Sequence, residues 1–143
     1  MISNKDLDAA LERLSKLTSV EGEIGYRASW LVGLIYIDKG QFEQARATIE
    51  ANPTLSKDVL GKEMTARIAL LEGNNALADT IYNSIESTSS EAKSYLARKA
   101  FEQKDWKKAR ELTEQLLRDY PTNGLLQQNL TKIIEEQSKA EAK

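Results

Sequence analysis

One short pattern recurs three times along the chain and constrains the fold more than any other feature. A turn residue is followed by an aromatic residue or its replacement, and alanine comes three positions later. The three copies occupy residues 39–46, 72–79 and 103–110. Their closing alanines, Ala45, Ala78 and Ala109, are 33 and 31 residues apart. Units repeated at such a period bury a core by stacking on their neighbours, so the sequence predicts an array.

Helical periodicity dominates the segments around these copies. Mostly apolar stretches with small residues at helical spacing precede them, at residues 28–37, 63–71 and 92–101. Amphipathic stretches follow them, at residues 42–51, 76–85 and 106–117. Alternating strand patterns are missing, and only two prolines and seven glycines interrupt the chain. We therefore predict an all-α fold of long helices joined by short turns.

The repeated units resemble the tetratricopeptide repeat (TPR), a helix–turn–helix unit of about 34 residues. That family expects a small residue and then an aromatic in the first helix, a glycine at the turn, an aromatic after it, and alanine. The first unit supplies Gly33, Tyr36, Gly40, Phe42 and Ala45. The second supplies Ala66, Ala69, Gly73, Ala78 and Tyr82. The third supplies Ala97, Ala100, Trp106, Ala109, Leu116 and Pro121.

Three positions depart from the family pattern. Asn75 stands where the second unit should have an aromatic, and Lys104 replaces the glycine of the third turn. Pro53 should cut short the second helix of the first unit, because proline cannot continue a helix interior. We expect stacking to loosen at Asn75 and Lys104.

The resemblance implies a TPR-like right-handed α-solenoid of antiparallel helix pairs, with about eight helices. We expect a single domain over residues 1–143. Its parts are a leading helix in 1–20, repeats in 26–55, 56–88 and 89–122, and a capping helix and tail in 123–143. The cap is amphipathic, and we expect residues 135–143 to be solvated helix that frays.

Composition argues against catalysis. The chain has no Cys and no His, so thiolate nucleophiles, imidazole acid–base chemistry and the commonest metal ligands are missing. Its glycines are scattered, so no phosphate-binding loop is predicted. We expect no enzyme activity, no catalytic or metal site and no cofactor. A net charge of -2 gives no reason to expect nucleic acid, and no apolar run predicts membrane insertion. A complete chain without an apolar leader is expected in the cytoplasm.

The resemblance also implies a concave groove lined by the first helix of each pair. Transferred residue by residue, the groove positions are Arg27, Trp30, Leu31, Leu34, Met64, Arg67, Tyr95 and Arg98. A TPR subclass that clamps the terminal carboxylate of chaperone tails has lysine and asparagine where this chain has Trp30 and Leu34, so a chaperone-tail ligand is not expected. Burial between helices is the alternative for Trp30, Leu31, Leu34 and Met64.

Three functional hypotheses follow. The first is a non-catalytic scaffold or assembly module of bacterial type that binds a peptide with apolar anchors and an acidic group, because Trp, Tyr, Met and Arg dominate binding hot spots. The second is a small acidic secretion chaperone of the type III class that holds a client segment. The third is a self-associating structural domain, which would form a homodimer.

Overall fold

The computed structural model describes residues 3–142, and these residues form nine α-helices and no strand. The helices are α1 (Asn4–Ser15), α2 (Glu23–Asp38), α3 (Phe42–Glu50), α4 (Pro53–Lys57), α5 (Val59–Leu71), α6 (Asn75–Ser84), α7 (Ser90–Glu102), α8 (Trp106–Asp119) and α9 (Gly124–Glu141). The predicted all-α class is confirmed. The helix count exceeds the expected eight by one.

The additional helix follows from the proline in the first repeat. As predicted, α3 ends before Pro53, at Glu50, and Pro53 then opens the five-residue helix α4. Proline suits a first helical turn because its missing N–H would have no intrahelical partner there. The side chain of Asn52 caps α4 by accepting a hydrogen bond from the Leu55 N–H, at 3.1 Å. The predicted second helix of the first repeat is therefore two helices, α3 and the short α4.

The repeated sequence pattern is a helix-ending turn that has the same hydrogen bonds in all three copies. The N–H of Gln41 donates to Tyr36 O, that of Asn74 to Ala69 O, and that of Asp105 to Ala100 O, each at 2.8 Å. The preceding residues are Gly40, Gly73 and Lys104, with φ angles of 73°, 81° and 61°. Each of these residues donates its N–H to the carbonyl three residues back, at 3.0 Å. These paired bonds define a Schellman motif, which satisfies carbonyls that a helix end leaves unpaired.

Lys104 stands where the other two copies have glycine, and it adopts the same left-handed backbone. It is the only non-glycine residue with positive φ among residues 3–142. The turn is kept although lysine carries the Cβ that makes left-handed backbone unfavourable. The turn is therefore intact at Lys104, and looser stacking at Asn75 and Lys104 stays a prediction.

The chain forms two compact units, Met1–Ile81 (unit 1) and Tyr82–Lys143 (unit 2). In unit 1, α2 packs on α3, α1 packs on α2, and α5 contacts both α2 and α3. The core of this unit includes a cluster of Ala45, Ile49, Leu55, Met64 and Ile68. The single domain and the right-handed superhelix of the sequence analysis stay predictions.

Unit 2 is built around α8, which packs on α7 and on α9. Ala100, Ala109 and Ile133 form its buried cluster, and Phe101 packs against them. The Phe101 and Trp106 rings meet edge to face across the third turn, with 5.2 Å between their centroids. The alanine of the third copy therefore lets α7 and α8 approach closely, as its position in the repeat predicts.

The terminal helices differ in how firmly they are held. None of the residues of α1 is buried, and an ion pair between Lys39 and Asp8 ties it to the end of α2. By contrast, α9 buries Ile133 and continues to Glu141, where we expected fraying from residue 135. No helix within residues 3–142 has the length and apolar character needed to cross a membrane.

Candidate functional site

Unit 2 contains a pocket of about 310 Å³ between α7, α8 and α9. We name it the α7–α9 pocket. Its lining residues are Ser94, Ala97, Arg98, Phe101, Thr113, Leu116, Leu126, Asn129, Lys132 and Ile133. Four of them are buried (Ala97, Thr113, Leu116 and Ile133), whereas four polar or charged members are exposed (Ser94, Arg98, Asn129 and Lys132).

The wall formed by α7 follows from helical spacing. Ser94, Ala97, Arg98 and Phe101 are three, one and three residues apart, which places them on one helix face. The Oγ of Ser89 fixes the start of this helix by accepting a hydrogen bond from the Ala92 N–H, at 3.0 Å. The small side chain of Ala97 leaves the space that becomes the pocket.

The opposite wall belongs to α9, whose beginning is held at two points. The Asn123 side chain caps the helix by accepting from the Leu126 N–H at 3.1 Å, and Gln127 Nε2 donates to Pro121 O at 2.9 Å. Leu126, Asn129 and Ile133 then face the pocket at spacings of three and four residues. The helix-ending proline of the third repeat thus positions the wall that follows it.

Two cations edge the pocket, and they differ in their partners. Lys132 Nζ lies 3.2 Å from Glu136 Oε1. Hydrogen bonding from Lys132 and the charge of Lys139 hold the pKa of the Glu136 carboxyl below its usual range, so this carboxylate stays ionised at neutral pH. Arg98, in contrast, is exposed and forms no ion pair with any of residues 3–142.

Arg98 is held by an aromatic neighbour. Its guanidinium carbon lies 5.8 Å from the centroid of the Tyr95 ring, within the range of a cation–π contact. The Tyr95 ring in turn packs on Tyr82, with 4.5 Å between centroids. This aromatic support restricts the arginine without neutralising its charge, so its N–H donors remain available to an anion. Of the predicted groove residues, the structure brings Tyr95 and Arg98 together.

The predicted groove residues of unit 1 divide into buried and exposed sets. Met64 is 1% exposed and belongs to the core, and Trp30 and Leu34 pack against that core. A Cβ on Gly33 would overlap the Met64 methyl group, so the thioether occupies space that this glycine leaves on α2. Met64 is therefore corrected from a surface residue to a core residue. For Trp30 and Leu34, both half-buried, packing accounts for the apolar side chain.

The exposed set in unit 1 is small. Leu31 is 38% exposed, and Arg27, one turn before it on α2, forms an ion pair with Glu23 at 2.8 Å. On α5, Arg67 is half-buried and is already engaged in an interaction. No pocket described for unit 1 is lined by Arg27, Leu31 or Arg67. Their role in binding stays a prediction.

The sequence pattern did not reveal that α9 and Phe101 line a pocket. The apolar face of α9 predicted a cap that covers the core. The signal that marks the pocket is the polar edge of that face, where Asn129 and Lys132 lie three residues apart next to Ile133. A capping helix also stands where the first helix of a further repeat would stand, so its edge is a candidate binding surface.

Comparison with known proteins supports the resemblance over one repeat. Residues 91–123 match a family described as Tetratricopeptide repeat. The match covers α7, α8 and the turn to α9, and it confirms the resemblance at the third unit. No curated protein and no solved structure matches the chain.

Proposed function

We propose that the chain is a non-catalytic protein-binding module whose ligand occupies the α7–α9 pocket. The match of residues 91–123 to the tetratricopeptide repeat supports a role as a protein-interaction scaffold, because such arrays present binding surfaces on the first helices of their units. The observation that carries the proposal is a single arrangement. An arginine without a carboxylate partner stands over an apolar depression that is large enough for a side chain.

The ligand is defined by the two halves of this arrangement. The apolar base formed by Ala97, Phe101, Leu116, Leu126 and Ile133 accepts a leucine- or phenylalanine-sized side chain. The guanidinium of Arg98 accepts a carboxylate, for which its fork of N–H groups is well suited. Because Lys132 already forms an ion pair with Glu136, Arg98 contributes most to the preference of the pocket for an anionic ligand. The ligand is therefore a peptide segment with an apolar residue next to Asp or Glu.

The expected affinity is low. Burying one leucine side chain contributes about 1.5–3 kcal/mol, and an exposed charge pair adds up to about 1 kcal/mol. The sum is at most about 4 kcal/mol, which corresponds to a Kd of about 1 mM or weaker. A single segment thus binds weakly, and tighter binding to a whole protein needs further contacts.

The test is a titration of the ¹⁵N-labelled full chain with the blocked peptide acetyl-Gly-Asp-Leu-Ser-Gly-amide, followed by amide chemical shifts. Shifts are expected on α7 and α9, with a Kd of about 1 mM or weaker. Arg98→Ala should weaken binding about fivefold, because one charge pair contributes up to about 1 kcal/mol. Ala97→Leu should weaken it further by filling the pocket.

Matched controls separate the site from general charge effects. Lys107→Ala removes a cation from the exposed side of α8, where it lines no described pocket, and should leave the Kd unchanged. Peptides with Asn for Asp, or Ser for Leu, should bind more weakly than the parent. Equal losses from Arg98→Ala and Lys107→Ala, or shifts that avoid α7 and α9, would contradict the proposal.

A further inference from the structure

Unit 1 contains a second concave surface that the proposed function does not use. Two depressions of about 390 Å³ and about 770 Å³ adjoin and share three lining residues, Thr18, Ser19 and Ala51. We call them together the α1–α3 cleft. It lies between the end of α1 with the turn that follows it, the beginning and middle of α2, and the α3–α4 junction. Small side chains on the facing helices leave it unfilled.

The smaller depression is lined by hydroxyl groups. They belong to Ser15, Thr18, Ser19, Ser29, Tyr36 and Thr48. Local carbonyls take up some of the donors: Ser15 Oγ donates to Leu11 O at 2.6 Å, and Thr48 Oγ1 donates to Gln44 O at 2.8 Å. These oxygens keep their acceptor capacity, so the wall offers hydrogen bonds to a ligand main chain.

Ser29 is the residue that points to an occupant. It is 2% exposed and lines the smaller depression, and its hydroxyl forms no hydrogen bond with any of residues 3–142. Every fully enclosed side-chain nitrogen or oxygen in this part of the chain has a partner, so the Ser29 hydroxyl reaches solvent through the cleft. Residues 3–142 supply no partner for this hydroxyl, so water or a polar occupant of the cleft can hydrogen-bond to it.

The larger depression is acidic. Its lining includes Glu21, Glu23 and Asp58, and it contains no Lys or Arg. Asp58 is fixed in place, because it caps α5 by accepting from the Val59 N–H at 2.7 Å and also accepts the Tyr26 hydroxyl hydrogen. Glu23 forms an ion pair with Arg27 on the exposed side of α2. The depression therefore carries an excess of negative charge next to the hydroxyl-lined part.

We propose that the α1–α3 cleft is a second docking surface, whose occupant is a basic peptide segment with small polar residues beside a Lys or Arg side chain. The cation lies at the acidic end, near Glu21 and Asp58, and the small residues lie along the hydroxyl groups. The cleft is lined by carboxylates where the α7–α9 pocket is lined by Arg98 and Lys132, so this segment differs in charge from the ligand of the α7–α9 pocket. Each unit then takes a segment of opposite charge, and the chain joins two partner segments.

The test uses the ¹⁵N-labelled full chain and two blocked peptides, acetyl-Gly-Ser-Arg-Ser-Gly-amide and its glutamate counterpart. The arginine peptide should shift amides of residues 15–29 and 47–58, and the glutamate peptide should not. Binding should weaken several-fold when NaCl is raised from 50 mM to 500 mM, because exposed charge pairs are screened. Glu21→Lys should weaken it at least fivefold.

Three further variants make the result specific. Glu12→Lys places the same charge change on the exposed face of α1, outside the cleft, and should weaken binding less than Glu21→Lys. Ser29→Val fills the hydroxyl position and should remove the shifts around residue 29 while shifts at the acidic end remain. Arg98→Ala should leave arginine-peptide binding unchanged, so failure of one site is distinguishable from failure of the other.

Several outcomes would overturn the proposal. Equal binding of the two peptides would show that charge does not select the occupant. Equal losses from Glu12→Lys and Glu21→Lys would show only general attraction to an acidic unit. Shifts that remain around residue 29 in Ser29→Val would remove the hydroxyl-lined part from the docking surface.

Discussion

Replacing Lys104 by glycine should stabilise the protein. Lys104 adopts a φ of 61° in the third Schellman turn, where the other two copies have Gly40 and Gly73. Its side chain is exposed and forms no ion pair within residues 3–142, so the substitution removes little besides the Cβ. Lysine is kept in this conformation by the surrounding turn, and glycine adopts it without steric cost.

The magnitude comes from two opposing contributions. A non-glycine residue in left-handed backbone costs about 1–2 kcal/mol, which Lys104→Gly relieves. Glycine also has more conformational freedom in the unfolded chain than lysine, and this lowers the free energy of unfolding by about 0.5–1 kcal/mol. The free energy of unfolding should therefore rise by about 0.5–1 kcal/mol. The reverse substitution Gly73→Lys should lower it by a similar amount, because a Cβ at Gly73 would meet no atom within 4 Å and the effect is conformational alone.

The assay is urea unfolding followed by circular dichroism at 222 nm. Lys104→Ala is the matched control, since it removes the same side chain but keeps the Cβ, and it should change stability by less than about 0.5 kcal/mol. The urea concentration at the unfolding midpoint should be higher for Lys104→Gly than for Lys104→Ala, and the dependence of the unfolding free energy on urea concentration should be the same for both. If Lys104→Gly were equal to or below Lys104→Ala, the turn would not impose the left-handed conformation on this residue and the reasoning would fail.

Two further substitutions test other parts of the fold. A Cβ at Gly61 would overlap the carbonyl oxygen of Leu55, so Gly61→Ala should lower the free energy of unfolding by about 1–3 kcal/mol in the same urea assay. Gly124 has open space around it, so the control Gly124→Ala should change the free energy of unfolding by less than about 0.5 kcal/mol. Burial, with the hydrogen bond to Asp58, raises the pKa of Tyr26 to about 12 from 10.0. As the pH rises, Tyr26 loses its proton in the unfolded chain before it does so in the folded protein. The contribution of the protonated Tyr26 to stability is therefore complete below pH 10 and is lost as the pH rises through 12. Unfolding free energies from pH 9 to 12 should fall less steeply for Tyr26→Phe than for the parent, and equal slopes would contradict this assignment.

The sequence predicted the turns well because each one depends on a local pattern. A turn residue, a polar residue directly after it and an alanine five residues after it determine a helix end and a helix start within a few residues. Pro53 likewise marked a helix boundary correctly, because the constraint acts on its own backbone. The sequence did not reveal that the chain would restart as α4, since this depends on the Asn52 cap and on burial of Leu55.

The site was less predictable because groove and core use similar side chains. Met64 and Arg67 lie on the same helix at neighbouring positions, and only packing against Gly33 shows that Met64 is buried. Arg98 is exposed, as is usual for a long charged side chain, and its role in binding stays a prediction. The role of α9 in the pocket depends on how that helix lies against α7 and α8, which no local pattern in 124–141 specifies.

The binding role of the α7–α9 pocket is best tested by a structure of the full chain with the aspartate–leucine peptide bound. The leucine side chain should lie between Phe101 and Ile133, and the aspartate carboxylate should lie within hydrogen-bond distance of the Arg98 guanidinium. A peptide bound elsewhere, or one whose carboxylate avoids Arg98 while its leucine lies outside the α7–α9 pocket, would contradict it.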